Sequence, residues 1–173
     1  NNDHIANMYL RSKLKRCQEI GIETVVKNCN DYDNFGIIRS IAKSRNPLII
    51  EEPIPPTIDK ESLCDILVSR TDLDGWSTWN RAKLYCNMKP NFYPCTPKGI
   101  MRLLKEYNVE FEGRNALVIG RSNIVGQPIA WMLGQGGCTV TMAHSKTNES
   151  DLINYAISAD IIVSAAGKPN IID

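Results

Sequence analysis

The chain has 173 residues, 43% of them hydrophobic and 23% charged, with a formal net charge of +1. That balance describes an ordinary globular protein with material for one good core or two small ones. It gives no case for a nucleic-acid partner: no basic stripe stands out, and Lys13, Lys15 and Arg16 read as a solvated helix face. No apolar run approaches the ~20 residues that span a bilayer, so no membrane partner is expected. The six cysteines (Cys17, Cys29, Cys64, Cys86, Cys95 and Cys138) lie far apart, without the paired spacing of zinc or redox motifs. No metal is expected. Cysteines within apolar patterns behave as small hydrophobes, and a reducing cytoplasmic location fits them best. The chain starts at Asn1 rather than methionine, so an upstream targeting segment stays open.

Taken in order, short β-branched runs alternate with longer amphipathic stretches, the pattern of an α/β fold. Residues 5–20 read as a helix closed by Gly21. A strand is expected over 23–27, a helix over 34–43 and a short apolar strand over 47–50. The strand runs into Glu51-Glu52-Pro53-Ile54-Pro55-Pro56, a proline cluster that must form a rigid exit loop. A helix over 60–68 and a polar turn over 71–76 follow. Residues 97–107 read as helical, with Thr96 as N-cap and Pro97 at the first position. A βαβαβ series then follows: strand 115–119, helix 124–133, strand 138–142, helix 151–156, strand 161–165. Two lobes are expected, an N-terminal α/β substrate lobe over 1–95 and a Rossmann-like parallel-sheet dinucleotide-binding domain over 96–173. The first helix has no strand before it and the last strand exits at Gly167 with six residues left, so the chain reads as a fragment lacking both ends.

The segment from Leu117 to Pro128 has the order strand, glycine turn, helix. Gly120 permits a tight turn out of the strand, and Gly126 permits close approach to sheet or ligand. Free amides and the dipole at the helix start then attract a phosphate. The spacing is Gly-x5-Gly rather than the commoner G-x-G-x-x-G, so its strength lies in the strand before it and the helix after. NAD-preferring sites carry Asp or Glu at the end of the second strand. Here that strand ends Met142-Ala143-His144-Ser145-Lys146-Thr147, with a hydroxyl and a cation instead, and Arg121 lies in the neighbouring turn. Positive charge and hydroxyl donors suit a 2′-phosphate, so NADP is expected over NAD. Lys146 reads equally well as a solvated loop charge, and His144 as a packed strand-end residue rather than a catalyst.

Tyr9 and Lys13, four apart, share one face of the first helix. By itself that pairing is ordinary amphipathic surface. Several separate segments nevertheless occur together and in order: Tyr9-Leu10-Arg11-Ser12-Lys13 with Cys17 and Gly21, Pro53-Ile54-Pro55, Asp72-Leu73-Asp74-Gly75, Pro94-Cys95-Thr96-Pro97-Lys98-Gly99 and Gly120-Arg121-Ser122-Asn123-Ile124-Val125-Gly126. His144-Ser145-Lys146-Thr147 and Gly167-Lys168-Pro169 complete the set. With these, the chain resembles the methylenetetrahydrofolate dehydrogenase/cyclohydrolase family over nearly its whole length.

The resemblance implies a cleft between the lobes, with a tetrahydrofolate derivative against the first and NADP on the second. It implies NADP-dependent oxidation of methylene-tetrahydrofolate to the methenyl cation, followed by hydrolysis to formyl-tetrahydrofolate. Hydride loss needs no general base, because the neighbouring nitrogens stabilise the cation, and orientation supplies most of the catalysis. By the same resemblance Tyr9 stacks on the folate ring, Asp74 hydrogen-bonds its pterin edge, and Lys13 serves the hydrolytic step. Ile50, Glu51 and Glu52 line the substrate. Gly120, Arg121, Ser122, Ile124, Gly126, Ser145 and Thr96 hold the cofactor. A homodimer is implied, with Trp131 as core or interface, and the family's later glycine- and proline-rich substrate loop is expected beyond Asp173. The alternative for Asp74 is a plain Asp-Gly turn residue.

One departure bears on function. Where the family usually reads valine-glutamine-leucine-proline, this chain reads Ile50-Glu51-Glu52-Pro53, an anion in place of a neutral amide. If Glu51 reaches Lys13, the pair holds the lysine charged and weakens its part in hydrolysis. If the loop packs differently, Glu51 points to solvent. Ala6, where the family tends to carry serine, is a smaller departure. Two other classes remain: a non-catalytic folate- or NADP-binding module, and a different two-lobed dehydrogenase of the shikimate dehydrogenase type, which binds a small hydroxy acid.

Overall fold

A computed structural model describes residues 2–27, 34–43 and 46–172. The Cys29 thiol and the Ala6 side chain lie outside the described residues. The elements run α1 (Asn2–Glu19), α2 (Asn34–Lys43), α3 (Lys60–Ile66), α4 (Thr78–Tyr85), α5 (Cys95–Glu106), β1 (Asn115–Ile119), α6 (Gly126–Gln135), β2 (Thr139–Ala143), α7 (Glu149–Ser158) and β3 (Ile161–Ser164).

The second lobe follows from its apolar pattern. Ala116, Leu117, Val118 and Ile119 are all at most 3% exposed, so β1 must be covered on both faces, as a central parallel strand is. Ala116 and Val118 pack with Ile129, Ala130 and Leu133 of α6 and Met101 of α5. Leu117 and Ile119 pack on the opposite face with Leu152 and Ala156 of α7. Each of the buried Leu, Ile and Val side chains contributes about 1.5–3 kcal/mol. The sheet is parallel in the order β2-β1-β3. Its register sets Ala116 beside Val140 on one side and Ile161 on the other. The chain steps one way from β1 to β2 and the other way from β2 to β3. Crossovers of a single hand therefore place α6 and α7 on opposite faces. Reversal at β1 opens a crevice at the carboxyl ends of β1 and β3, where open α/β sheets bind ligands.

Among the described residues the first lobe is mainly helical. Ile38 of α2, Ile58 just before α3 and Leu63 of α3 form its core, with Ile50, Ile54 and Ile66 packed against them. Asp59 caps α3, accepting from the amides of Glu61 and Ser62 and from the Ser62 hydroxyl. These bonds, the hydroxyl's first, hold its carboxyl below the usual range. The end of α1 is closed as expected by Gly21 at φ +75°. The Ile22 amide donates to the Cys17 carbonyl at 2.8 Å and that of Gly21 to Gln18 at 3.2 Å, the bonds of a Schellman turn.

Two expected strands do not form. Residues 22–27 are irregular and exposed, and 47–50 contribute only a parallel bridge between Leu48 and Asp72. A β-branched run becomes a strand only by pairing along its length, and neither finds a continuous partner among the described residues. Helix α4 was not expected. It is capped by Ser77, whose hydroxyl accepts the Asn80 amide at 3.2 Å. It also bridges the lobes: Gln135 of α6 donates to the Leu84 carbonyl at 2.7 Å, and Tyr85 lies against Trp131 with ring centroids 5.9 Å apart. Trp131 is 49% exposed.

Candidate functional site

Lys13 stands on α1, two-thirds of the way along it, and Glu51 on the exit loop after Leu48. Their side chains meet, with Lys13 Nζ 2.6 Å from Glu51 Oε1. The side chains remain 44% and 34% exposed, so the pair lies at an open surface. Glu52 turns away and pairs with Lys60 of α3 at 2.8 Å. The loop is thus tied to α1 by one carboxylate and to α3 by the next. Ile50 is half-buried and packs against the first-lobe core. Tyr9, one helical turn before Lys13, is 65% exposed, leaving its ring face free for stacking.

The Asp-Leu-Asp-Gly turn divides its two acids between structure and surface. Asp72 is 2% exposed. Its carboxylate accepts the amides of Trp76 at 3.0 Å and Ser77 at 2.7 Å, and the Asn80 amide group at 2.9 Å. Asn80 in turn accepts the Asn91 amide at 3.1 Å, tying the turn to the segment that leads into α5. Asp74 is only half-buried. Gly75 has φ +67°, and a Cβ there would lie 2.7 Å from the Pro94 nitrogen and 2.8 Å from the Tyr93 carbonyl carbon. Glycine is therefore required, for its conformation and for the close approach. That approach sets Cys95 beside the turn.

Cys95 is exposed as a residue, yet its Sγ lies 3.6 Å from the Leu73 carbonyl oxygen, to which it donates. Desolvation first, then hydrogen bonding to Asp74 and the repulsion of its charge, push the thiol up to about 11; Lys13 and Lys98 partly oppose this. Lys13, Asp74 and Cys95, from three separate segments, are thus electrostatic neighbours. Sequence reasoning missed Cys95 as a polar partner by treating it as a small hydrophobe. The signal was its place beside Pro94, directly after the segment that closes on Gly75.

On the second lobe, Gly120 has φ +123°, and a Cβ there would meet the Ala165 carbonyl oxygen at 2.5 Å. At Gly126 a Cβ would meet the Gly120 carbonyl oxygen at 2.2 Å. Both glycines therefore serve contact between backbones at the reversal crevice, Gly126 approaching the strand exit.

The amides at the helix start are not free, contrary to expectation. Ser122 Oγ accepts from the Val125 amide at 3.2 Å and the Gly126 amide at 3.3 Å, while the Ser122 carbonyl accepts from Gln127 at 3.0 Å. Ser122 thus caps α6 from within the turn. The amides of Arg121, Ser122, Asn123 and Ile124 have no acceptor among the described residues, so these are the donors the turn presents.

The expected cap on α5 also fails. Thr96 is its second residue, Pro94 occupies the N-cap without a side-chain bond, and Pro97 sits in the first turn, where its missing N–H costs nothing. Thr96, Arg121 and Ser145 are exposed, and Ile124 is half-buried. No hydrogen bond joins Arg121 to Ser145 among the described residues. The β2 exit is locked by the His144 amide donating to Thr147 Oγ1 at 2.9 Å and the Lys146 amide donating to His144 Nδ1 at 3.2 Å. Among the described residues, no cluster of three acids, histidines or cysteines is placed to hold a metal, and no helix is long and apolar enough to cross a membrane.

A parallel sheet with a glycine-built crevice at its reversal point, joined to a lobe bearing an acid–lysine–thiol patch, defines a two-lobed α/β protein of the dinucleotide-binding class. Residues 94–173 match the model of the tetrahydrofolate dehydrogenase/cyclohydrolase family's NAD(P)-binding domain. The bifunctional protein FolD of Campylobacter jejuni is 36% identical over 177 residues, an alignment covering 99% of this chain and 62% of that relative. The crystal structure of the bifunctional enzyme FolD, methylenetetrahydrofolate dehydrogenase/cyclohydrolase, from the same organism superposes with a TM-score of 0.87 at 36% identity, covering 97% of this chain and 61% of that one. A Trypanosoma brucei methylenetetrahydrofolate dehydrogenase-cyclohydrolase complexed with NADP cofactor and inhibitor gives 0.84 at 29% identity, covering 95% and 58%. Residues 94–173 belong to the NAD(P)-binding domain of the tetrahydrofolate dehydrogenase/cyclohydrolase family, and nearly the whole chain is similar to that family's bifunctional FolD proteins. The chain spans about three-fifths of the length of the curated relatives it matches.

Proposed function

We propose that the intact protein oxidises methylene-tetrahydrofolate to methenyl-tetrahydrofolate with NADP, and hydrolyses the methenyl group only weakly. The observation that carries this is the ion pair of Lys13 on α1 with Glu51 on the exit loop at 2.6 Å, with Lys13 and Asp74 both near enough to act on Cys95. Residues so far apart in the chain converge only if the fold builds one polar patch there. Residues 1–95 form the folate lobe in this reading, and 96–173 the cofactor domain.

Each residue has a role that its surroundings support. Tyr9 offers an open ring face for stacking on the pterin. Asp74, held at the surface while Asp72 takes the structural bonds, accepts from the pterin edge. The unpaired amides of Arg121 to Ile124 fit a pyrophosphate, and the Arg121 guanidinium with Ser145 suits a 2′-phosphate. The chemistry NADP supplies is acceptance of the hydride. The chain's residues orient the two rings and exclude nothing by acid–base work at this step. Lys13 serves the hydrolytic step, and its pairing with Glu51 at 2.6 Å restrains it. Homodimer formation through the second lobe, with Trp131 in or near the contact, and a cytoplasmic location belong to the same reading.

Methylene-tetrahydrofolate and NADP mixed with the intact protein should yield NADPH. Binding of both without turnover would instead mark a non-catalytic module, which the restrained Lys13 keeps in view. NADPH formed from a small hydroxy acid but not from the folate would mark a shikimate dehydrogenase-like enzyme.

A further inference from the structure

Two helices that begin beside the two halves of the site meet at their far ends. Helix α4 starts at Thr78, four residues after Asp74. Its root is fixed by Asp72, which accepts the Trp76 and Ser77 amides and the Asn80 side chain. Helix α6 starts at Gly126, two residues after the Arg121–Ile124 donors, and Ser122 accepts the amides of Val125 and Gly126 at 3.2 and 3.3 Å. At the other end Gln135, the last residue of α6, donates to the Leu84 carbonyl of α4 at 2.7 Å. Beside it the Tyr85 and Trp131 rings lie 5.9 Å apart.

The Leu84 carbonyl is among the last of α4, beyond the reach of any helical amide. It accepts the Asn87 amide at 3.3 Å, in a turn closed by the Met88 amide on Lys83 at 2.7 Å and by Asn87 at φ +60°. A carbonyl oxygen with two lone pairs accepts from Gln135 as well. Helix α6 ends just before β2 begins at Thr139, so Gln135 stands on the amino-end side of the sheet, away from the ligand crevice. The backbone joins the lobes at the site itself, where Pro94 leads into α5 and Cys95 Sγ lies 3.6 Å from the Leu73 carbonyl oxygen. One attachment leaves a hinge free to turn about it. The α4–α6 joint is a second attachment, away from the first, and removes that freedom.

We propose that Gln135 and Tyr85 are positioning residues for hydride transfer: by joining the far ends of α4 and α6 they hold the folate turn and the cofactor turn in one relative orientation. The inference rests on the proposed function, in which the folate and NADP sit on separate lobes. Hydride transfer needs the donor carbon and the nicotinamide aligned, so a looser joint lowers the fraction of bound complexes that react. Hydrolysis at Lys13 needs no nicotinamide and no such alignment. Binding of NADP to its own lobe is equally independent of the joint.

The test is kinetics of the intact protein with three variants: Gln135→Met keeps the length and removes the donor, Gln135→Lys keeps a donor, and Tyr85→Leu removes the ring. Tyr85 is changed rather than Trp131, because Trp131 also belongs to the homodimer reading. Gln135→Met should lower the kcat for NADPH formation about two- to tenfold, the range of one side-chain hydrogen bond. The dissociation constant for NADP alone and the rate of methenyl hydrolysis should be unchanged. Gln135→Lys should recover most of the kcat. Tyr85→Leu should also lower kcat and spare hydrolysis, and adding Gln135→Met to it should cost less than the product of the single losses, since both act on one joint. Equal kcat in the parent and Gln135→Met overturns the inference and leaves the proposed function standing. So does a fall in hydrolysis that matches the fall in NADPH formation, which would mark a merely structural role. If the parent itself forms no NADPH, the proposed function fails and this inference fails with it.

Discussion

Replacing Glu51 by Gln removes one charge and keeps the shape of the side chain, so it isolates the ion pair with Lys13. Two unit charges about 4 Å apart interact by ~4 kcal/mol at an effective dielectric near 20 and by ~1 kcal/mol in water. With side chains 44% and 34% exposed, the pair belongs near the lower limit, where measured exposed pairs give ~0.2–1 kcal/mol. A restraint of that size on Lys13 corresponds to a rate effect of at most about fivefold. Glu51→Gln should therefore raise the hydrolysis of methenyl-tetrahydrofolate by roughly 1.4- to fivefold, with the rate of NADPH formation unchanged. Salt offers an independent check. Raising ionic strength from about 0.1 to 1 M shortens the screening length from ~10 to ~3 Å, which should speed hydrolysis by the parent protein more than by the variant. The assay is the decay of methenyl absorbance at matched substrate concentration. Equal hydrolysis rates in parent and variant, at both salt concentrations, would refute the reasoning.

Other expectations follow from the same geometry. Arg121→Ala should raise the KM for NADP far more than that for NAD, by a factor corresponding to ~1.5–3 kcal/mol for a charged hydrogen bond; an equal effect on both would separate Arg121 from the 2′-phosphate. Gly126→Ala places a Cβ 2.2 Å from the Gly120 carbonyl oxygen, and should lower stability by at least ~1–3 kcal/mol, seen as a fall in Tm and a smaller shift on adding NADP. Asp72→Ala leaves the Trp76, Ser77 and Asn80 donors without their acceptor, and should cost about 3 kcal/mol or more. That is a Tm fall of roughly 6–12 °C for a chain of this size. Cys95, with its thiol pushed up to about 11, should react slowly with iodoacetamide near pH 8 and faster only as pH approaches that value; rapid alkylation at pH 8 would contradict the environment described for it.

The second lobe was legible in the sequence because its signals agree at each level. β1 is continuously apolar, Gly120 ends it, and α6 carries its buried residues at helical spacing. The bounds of α2 were likewise readable. The first lobe was less so, since strand formation at 22–27 and 47–50 depends on partners that no local pattern supplies. Helix α4 hides behind a buried cap and a mixed outer face, Trp79 being 68% exposed. At the site, the spacing of Tyr9 and Lys13 and the Glu51 departure were visible, and the Lys13–Glu51 distance fell within the reach considered. The thiol contact with the Leu73 carbonyl was not visible, because it arises from a backbone approach at Gly75 that joins segments about twenty residues apart. The α6 cap was readable in principle: a serine three and four residues before Val125 and Gly126 is a capping signal, overlooked because the glycines pointed to a ligand.

A single-turnover absorbance experiment on the intact protein, with methylene-tetrahydrofolate and NADP in one syringe, tests the central claim most directly. The account predicts that NADPH and methenyl-tetrahydrofolate appear together, and that the methenyl signal then decays more slowly than it does in Glu51→Gln. Saturating binding of both ligands with no NADPH would contradict it.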